Sequence, residues 1–113
     1  MVQERIMSLI EKHKFLFCSE IINLLRKGDE IGESVKHSLK QMRKYGDVNY
    51  ILIVYNNKAR RRCLKKYKGL EKGKILTLEE ARFIKKVQDF LESGGKIRRE
   101  QYLYFSPALK AYK

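Results

Sequence analysis

Residues 31–48 read Ile-Gly-Glu-Ser-Val-Lys-His-Ser-Leu-Lys-Gln-Met-Arg-Lys-Tyr-Gly-Asp-Val. Val35, Leu39 and Met42 recur at the spacing of one helix face. At 100° per residue, His37, Lys40, Gln41 and Lys44 fall on the opposite face, bordered by Ser34 and Lys36. One helix over residues 33–45 therefore buries an apolar stripe and presents a polar, cationic one. Gly32 is placed to cap its start, and Gly46 to end it.

Upstream, Val2, Ile6, Leu9 and Ile10 form one stripe of a helix over residues 2–12. Phe15-Leu16-Phe17 follows as a short strand. Ser19 is the expected cap of a helix over residues 19–26, with Ile21, Leu24 and Leu25 facing inward, and Lys27-Gly28-Asp29-Glu30 breaks it. Downstream, the period changes to that of a strand at Asn49-Tyr50-Ile51-Leu52-Ile53-Val54-Tyr55. Asn56-Asn57-Lys58 is a turn signal, and Arg60–Tyr67 is the preferred return strand of a hairpin. A second register is open, in which Lys74-Ile75-Leu76-Thr77 ends the hairpin and residues 56–72 form a long basic loop.

Helix, short strand, helix, turn, helix, strand is an order that resembles the winged helix-turn-helix superfamily, over about residues 3–67. The resemblance rests on Phe17-Cys18-Ser19-Glu20-Ile21, similar to the family's entry into its second helix. It rests also on Ser34–Met42 closed by Tyr45-Gly46-Asp47-Val48, similar to its recognition helix and exit. These are patterns rather than a signature motif, and the turn at residues 27–30 is longer than in the commonest members. The resemblance implies an α+β winged helix-turn-helix with a basic β-hairpin wing, an additional C-terminal helix, and double-stranded DNA as partner.

The charge distribution points the same way. Net charge is +13 over 113 residues. Residues 1–57 carry nine Lys/Arg against seven Asp/Glu, residues 58–74 nine against one, and residues 75–113 eight against five. A basic excess gathered into 17 residues suits a polyanion-facing surface. Lys58, Arg60, Arg61, Arg62, Lys65 and Lys66, with Lys68 beyond them, would grip the DNA backbone or an A·T-narrowed minor groove. The bland alternative is an edge strand protected by charge. On the helix, Lys36, Lys40 and Lys44 suit phosphates or guanine, His37 and Gln41 suit base edges, and Ser34 sits where a helix start favours a phosphate. An ordinary solvated helix face carries such residues too.

Thr77-Leu78-Glu79-Glu80 is a capping box opening a helix over residues 78–93, stopped by Gly94-Gly95. Its stripe of Phe83, Ile84, Val87, Phe90 and Leu91 either packs on its own chain or pairs with a second copy in a homodimer. A last strand is expected within residues 96–105. The expected division is a DNA-binding domain at 1–68 and an extension at 69–113. Tyr102, Tyr104 and Phe105 beside Arg98 and Arg99 form a smaller basic-aromatic cluster, readable as a single-strand stacking platform or as strand core.

Cys18 and Cys63 read as reduced thiols packed as small hydrophobes, with a disulfide open for a hyperthermophilic source. With His13 and His37 they supply no metal-ligand spacing, so no metal and no cofactor is expected. No nucleophile-base set or phosphate-binding glycine loop is present, and Asp29, Glu30, Glu33 and Asp47 read as caps and turns rather than magnesium ligands, so no enzyme is expected. No apolar run approaches a membrane span and no secretory leader is evident. No small-molecule ligand is inferred, and the expected location is cytoplasmic and nucleoid-associated, or the host cell's cytoplasm for a viral source. The sequence thus points to a small transcriptional regulator. An RNA or single-strand binder and a protein-interaction module on the same scaffold are the rivals. If six basic side chains each neutralise a phosphate, the logarithm of the duplex association constant falls with the logarithm of salt at a slope of about −5, which a salt titration by fluorescence anisotropy checks.

Overall fold

The computed structural model describes residues 2–26, 32–55 and 73–106. Along these the elements run α1 (Val2–His13), β1 (Phe15–Phe17), α2 (Cys18–Arg26), α3 (Gly32–Tyr45), β2 (Asn49–Val54), β3 (Lys74–Thr77), α4 (Leu78–Ala81), α5 (Lys85–Glu92) and β4 (Glu100–Phe105). The class is α+β, with a mixed four-stranded sheet in the order β1-β4-β2-β3. Two compact units divide the chain, and the divisions fall inside β2 and β4. The described parts of the first are residues 2–26, 32–50 and 103–106; those of the second are 51–55 and 73–102. The expected division at residue 68 falls outside the described residues, and residues 103–106 belong with the N-terminal helices rather than with an extension.

In the first unit α1, α2 and α3 pack on one another, and α1 and α2 also pack on β1. Ile6 and Ile10 of α1, Ile21 of α2, Val35, Leu39 and Met42 of α3, Phe17 and Leu103 make its core, all nearly inaccessible. The three α3 residues are the apolar stripe that the periodicity identifies. The helix expected to start at Ser19 starts at Cys18. Its cap is Glu20, whose Oε1 accepts from the Phe17 backbone N–H at 2.8 Å, half of a capping box, while Ser19 lies exposed. Gly32, expected as a cap, is the first residue of α3. At the other end Gly46 has φ +74°, its N–H donates to Arg43 O at 3.3 Å, and the Asp47 N–H reaches Met42 O at 2.8 Å. This pair of bonds is a Schellman closure, which needs a left-handed residue at the Gly46 position.

β1 pairs antiparallel with β4: Phe15 opposes Phe105, Leu16 opposes Tyr104 and Phe17 opposes Leu103. The Phe15 and Phe105 rings lie 6.4 Å apart and tilted by 37°, a favourable aromatic geometry. The last strand begins at Glu100, later than the sequence start at residue 96.

In the second unit β2 pairs parallel with β3, Ile51 beside Lys74 through Val54 beside Thr77. This corrects the second hairpin register: residues 74–77 do form a strand on β2, but a hairpin return must be antiparallel. The preferred return strand, residues 60–67, lies outside the described residues. Thr77 and Glu80 make the expected capping box. The Thr77 hydroxyl and N–H donate to Glu80 Oε1 at 2.8 and 3.1 Å, and the Glu80 N–H donates to Thr77 Oγ1 at 3.3 Å.

The helix expected over residues 78–93 is nevertheless two helices. α4 closes after one turn, with the Phe83 N–H bonding Glu80 O and the Ile84 N–H bonding Ala81 O. Ile84 is then extended (φ −82°, ψ 121°), buries its side chain, and opens α5. α5 ends as expected at Gly94-Gly95, where the Gly95 N–H donates to Phe90 O at 2.9 Å.

One residue between α1 and β1 is strained. Lys14 has φ +72°, where its N–H donates to Ile10 O at 2.8 Å and its carbonyl accepts from the Ser106 N–H at 2.9 Å. A side chain at left-handed φ costs more than glycine's extra unfolded-state freedom. Lys14→Gly is therefore expected to stabilise the protein by about 0.5–1 kcal/mol, read as a raised midpoint in urea.

Candidate nucleic-acid interface

Burial of Val35, Leu39 and Met42 fixes how α3 is rotated, and everything at the opposite azimuth is turned to solvent. Ser34, Lys36, His37, Lys40 and Lys44 are exposed and Gln41 is half-buried. Two rows at the i, i+4 spacing result. One is Lys36, Lys40 and Lys44. The other is His37, Gln41 and Tyr45, in which the Gln41 Nε2 and His37 Nε2 atoms lie 3.5 Å apart.

Tyr45 is a member that sequence reasoning passed over. It is 66 % exposed, and the Lys44 ammonium sits 5.6 Å from its ring centroid. Such a geometry is a cation–π contact. The signal was present, since residue 45 lies four beyond Gln41, but a tyrosine at a helix end reads first as a packing residue. Glu33, exposed in the first turn, places a carboxylate beside Ser34 and works against a phosphate there.

Arg43 lies between the two faces, half-buried, and its Nη1 donates to the hydroxyl of Tyr104. Tyr104 is fully buried on β4. This bond ties the exposed helix to the strand that pairs with β1, all within the first unit. Cys18 is half-buried and not in a disulfide; burial pushes its thiol up from the ordinary value, and the positive charges of Lys36 and Arg43 nearby pull it partly back. Its ordinary state is the neutral thiol, consistent with a packed small hydrophobe.

The remaining sequence candidates divide sharply. Lys58, Arg60, Arg61, Arg62, Lys65 and Lys66 lie outside the described residues. Of the stripe assigned to dimerisation, Ile84 and Val87 are buried, Phe90 and Leu91 are half-buried, and Phe83 is 69 % exposed in the turn between α4 and α5. The break at residues 82–84 divides this stripe, with Phe83 and Ile84 before α5 and Val87, Phe90 and Leu91 within it. Tyr104 and Phe105 are buried, so the stacking platform at residues 102–105 reduces to strand core, the other reading open for it.

Among the described residues no three metal-binding side chains gather, and no helix is long and apolar enough to cross a membrane. No protein-family model matches the chain, and no curated protein or solved structure matches it.

The Arg43–Tyr104 bond yields a direct test. Hydrogen bonds to charged groups contribute about 1.5–3 kcal/mol when partly buried. Tyr104→Phe keeps the ring and removes the hydroxyl, so a loss of about 1–2 kcal/mol in urea unfolding is expected.

Proposed function

We propose that this chain is a sequence-specific double-stranded-DNA-binding protein, a small transcriptional regulator of winged helix-turn-helix type, with α3 in the major groove. The observation that carries the proposal is the outward face of α3. Fourteen residues of helix present three lysines, a histidine, a glutamine and a tyrosine in two parallel rows, and their shared back is buried. A helix of this length fits the major groove, where lysine contacts phosphates or guanine and glutamine pairs with adenine. Unit-level architecture supports it: three mutually packed helices, with a short strand after the first and a strand after the third.

The wing half of the reading rests on the basic run at residues 58–68 and on charge alone. β2 lies between β4 and the parallel β3 among the described strands, and the hairpin return expected at residues 60–67 lies outside the described residues, so the α3 face bears the weight of the proposal. A dimer is not part of it. In this reading α3 chooses the sequence, and the basic run supplies most of the salt-dependent affinity.

Selection of bound duplexes from a random pool tests the proposal, and a palindromic site would add a second copy. On the selected site Gln41→Ala is expected to cost about 1–3 kcal/mol and to relax preference at one base pair, leaving affinity for shuffled duplex unchanged. Arg61→Ala is expected to weaken all duplexes alike and flatten the salt dependence. Equal loss on every sequence from Gln41→Ala would rule out base readout by α3, and preference for single strands at equal salt would favour the RNA or single-strand reading.

A further inference from the structure

The acids of the first unit are not spread evenly. Of its described carboxylates, Glu4, Glu11 and Asp47 line one open groove of about 400 Å³ between α1 and the end of α3. All three are exposed. No described lysine or arginine lines this groove. Its floor is apolar and made by Met7, half-buried, and Met42, 1 % exposed. Glu4, Met7, Ser8 and Glu11 recur at i, i+3, i+4 and i+7, so one face of α1 forms a whole wall.

We infer that this surface docks a basic amphipathic segment of a partner protein. Charge complementarity selects the occupant. In a chain of net charge +13, a rim of three carboxylates repels acidic partners and nucleic acid, and attracts lysine and arginine. The apolar floor takes the partner's aliphatic anchors at helical spacing, the helix-in-groove mode, and methionine adapts to anchors of differing shape. Met42 stands on the face of α3 opposite Lys40, so the docked segment leaves the cationic rows open. The inference stands whether or not those rows bind duplex.

The chain itself supplies the reporter. It contains three methionines, Met1, Met7 and Met42. Labelling their ε-methyl groups with carbon-13 and titrating the full-length protein gives one signal for each. The probe is a synthetic 14-residue peptide with Leu at i, i+3, i+4 and i+7 and Lys or Arg elsewhere. Met7 and Met42 are expected to shift saturably with it, and not with the same peptide carrying Glu in place of Lys and Arg. Glu4→Gln with Glu11→Gln is expected to weaken binding about three- to tenfold, and raised salt to weaken it further.

Absence of shifts at Met7 and Met42, equal shifts with the acidic peptide, or unchanged affinity in the double variant would overturn the inference. So would shifts of the two methyls on diluting the protein alone, which would make the occupant a second copy.

Discussion

The antiparallel pairing of β1 with β4 is the constraint on which the first unit depends. β1 is only three residues long, and its described pairing is with Leu103, Tyr104 and Phe105. Those residues include the buried Tyr104 and Phe105, and Tyr104 in turn holds Arg43 of α3. The orientation of the exposed lysine row therefore rests on two things: the apolar stripe beneath it, and a strand that follows Phe15 by about 90 residues, a separation whose closure costs chain entropy. A short strand with large apolar side chains offsets that cost through burial rather than through the number of hydrogen bonds.

The second unit is organised by a different rule. There β2 and β3 lie parallel, and the capping box on Thr77 and Glu80 turns the chain out of β3 into α4. Thr77 and Glu80 are both buried, and each satisfies the other's polar groups. Among the described residues no buried side-chain polar atom lacks a partner. The short α4 and the extended Ile84 then redirect the chain so that Ile84 and Val87 are buried while Phe83 is left outside.

What the sequence made legible is what local physics controls. The buried face of α3 follows from a period of 3.6, the ends at Gly46 and Gly94-Gly95 from the left-handed preference of glycine, and the start of α4 from a reciprocal side-chain pair. Partners in a sheet are another matter. Nothing in the run Asn49–Tyr55 says that one of its neighbours is parallel, because strand periodicity names a face and not a direction. The burial of Tyr104 was equally hidden, since its polar tip and its place beside Arg98 and Arg99 make it look like a surface residue until Arg43 is seen to meet it. The break at residues 82–84 has neither glycine nor proline to mark it; the burial of Ile84 decides it. At the candidate interface, Lys36, His37, Lys40, Gln41 and Lys44 were readable from the wheel, whereas Tyr45, an aromatic residue at a helix end, looks like a packing residue until its exposure is seen.

The long sequence separation within the β1–β4 ladder also sets a schedule. A ribosome adds about 5–20 residues each second, so roughly 5–20 s separate the emergence of Phe15–Phe17 from that of Leu103–Phe105. Throughout that interval the growing chain, which gains α2 and then α3, carries a short apolar strand without the β4 partner to which it will bond. A nascent chain in this condition is a substrate for whatever shields strand edges in the cell, and its exposure ends only when β4 arrives.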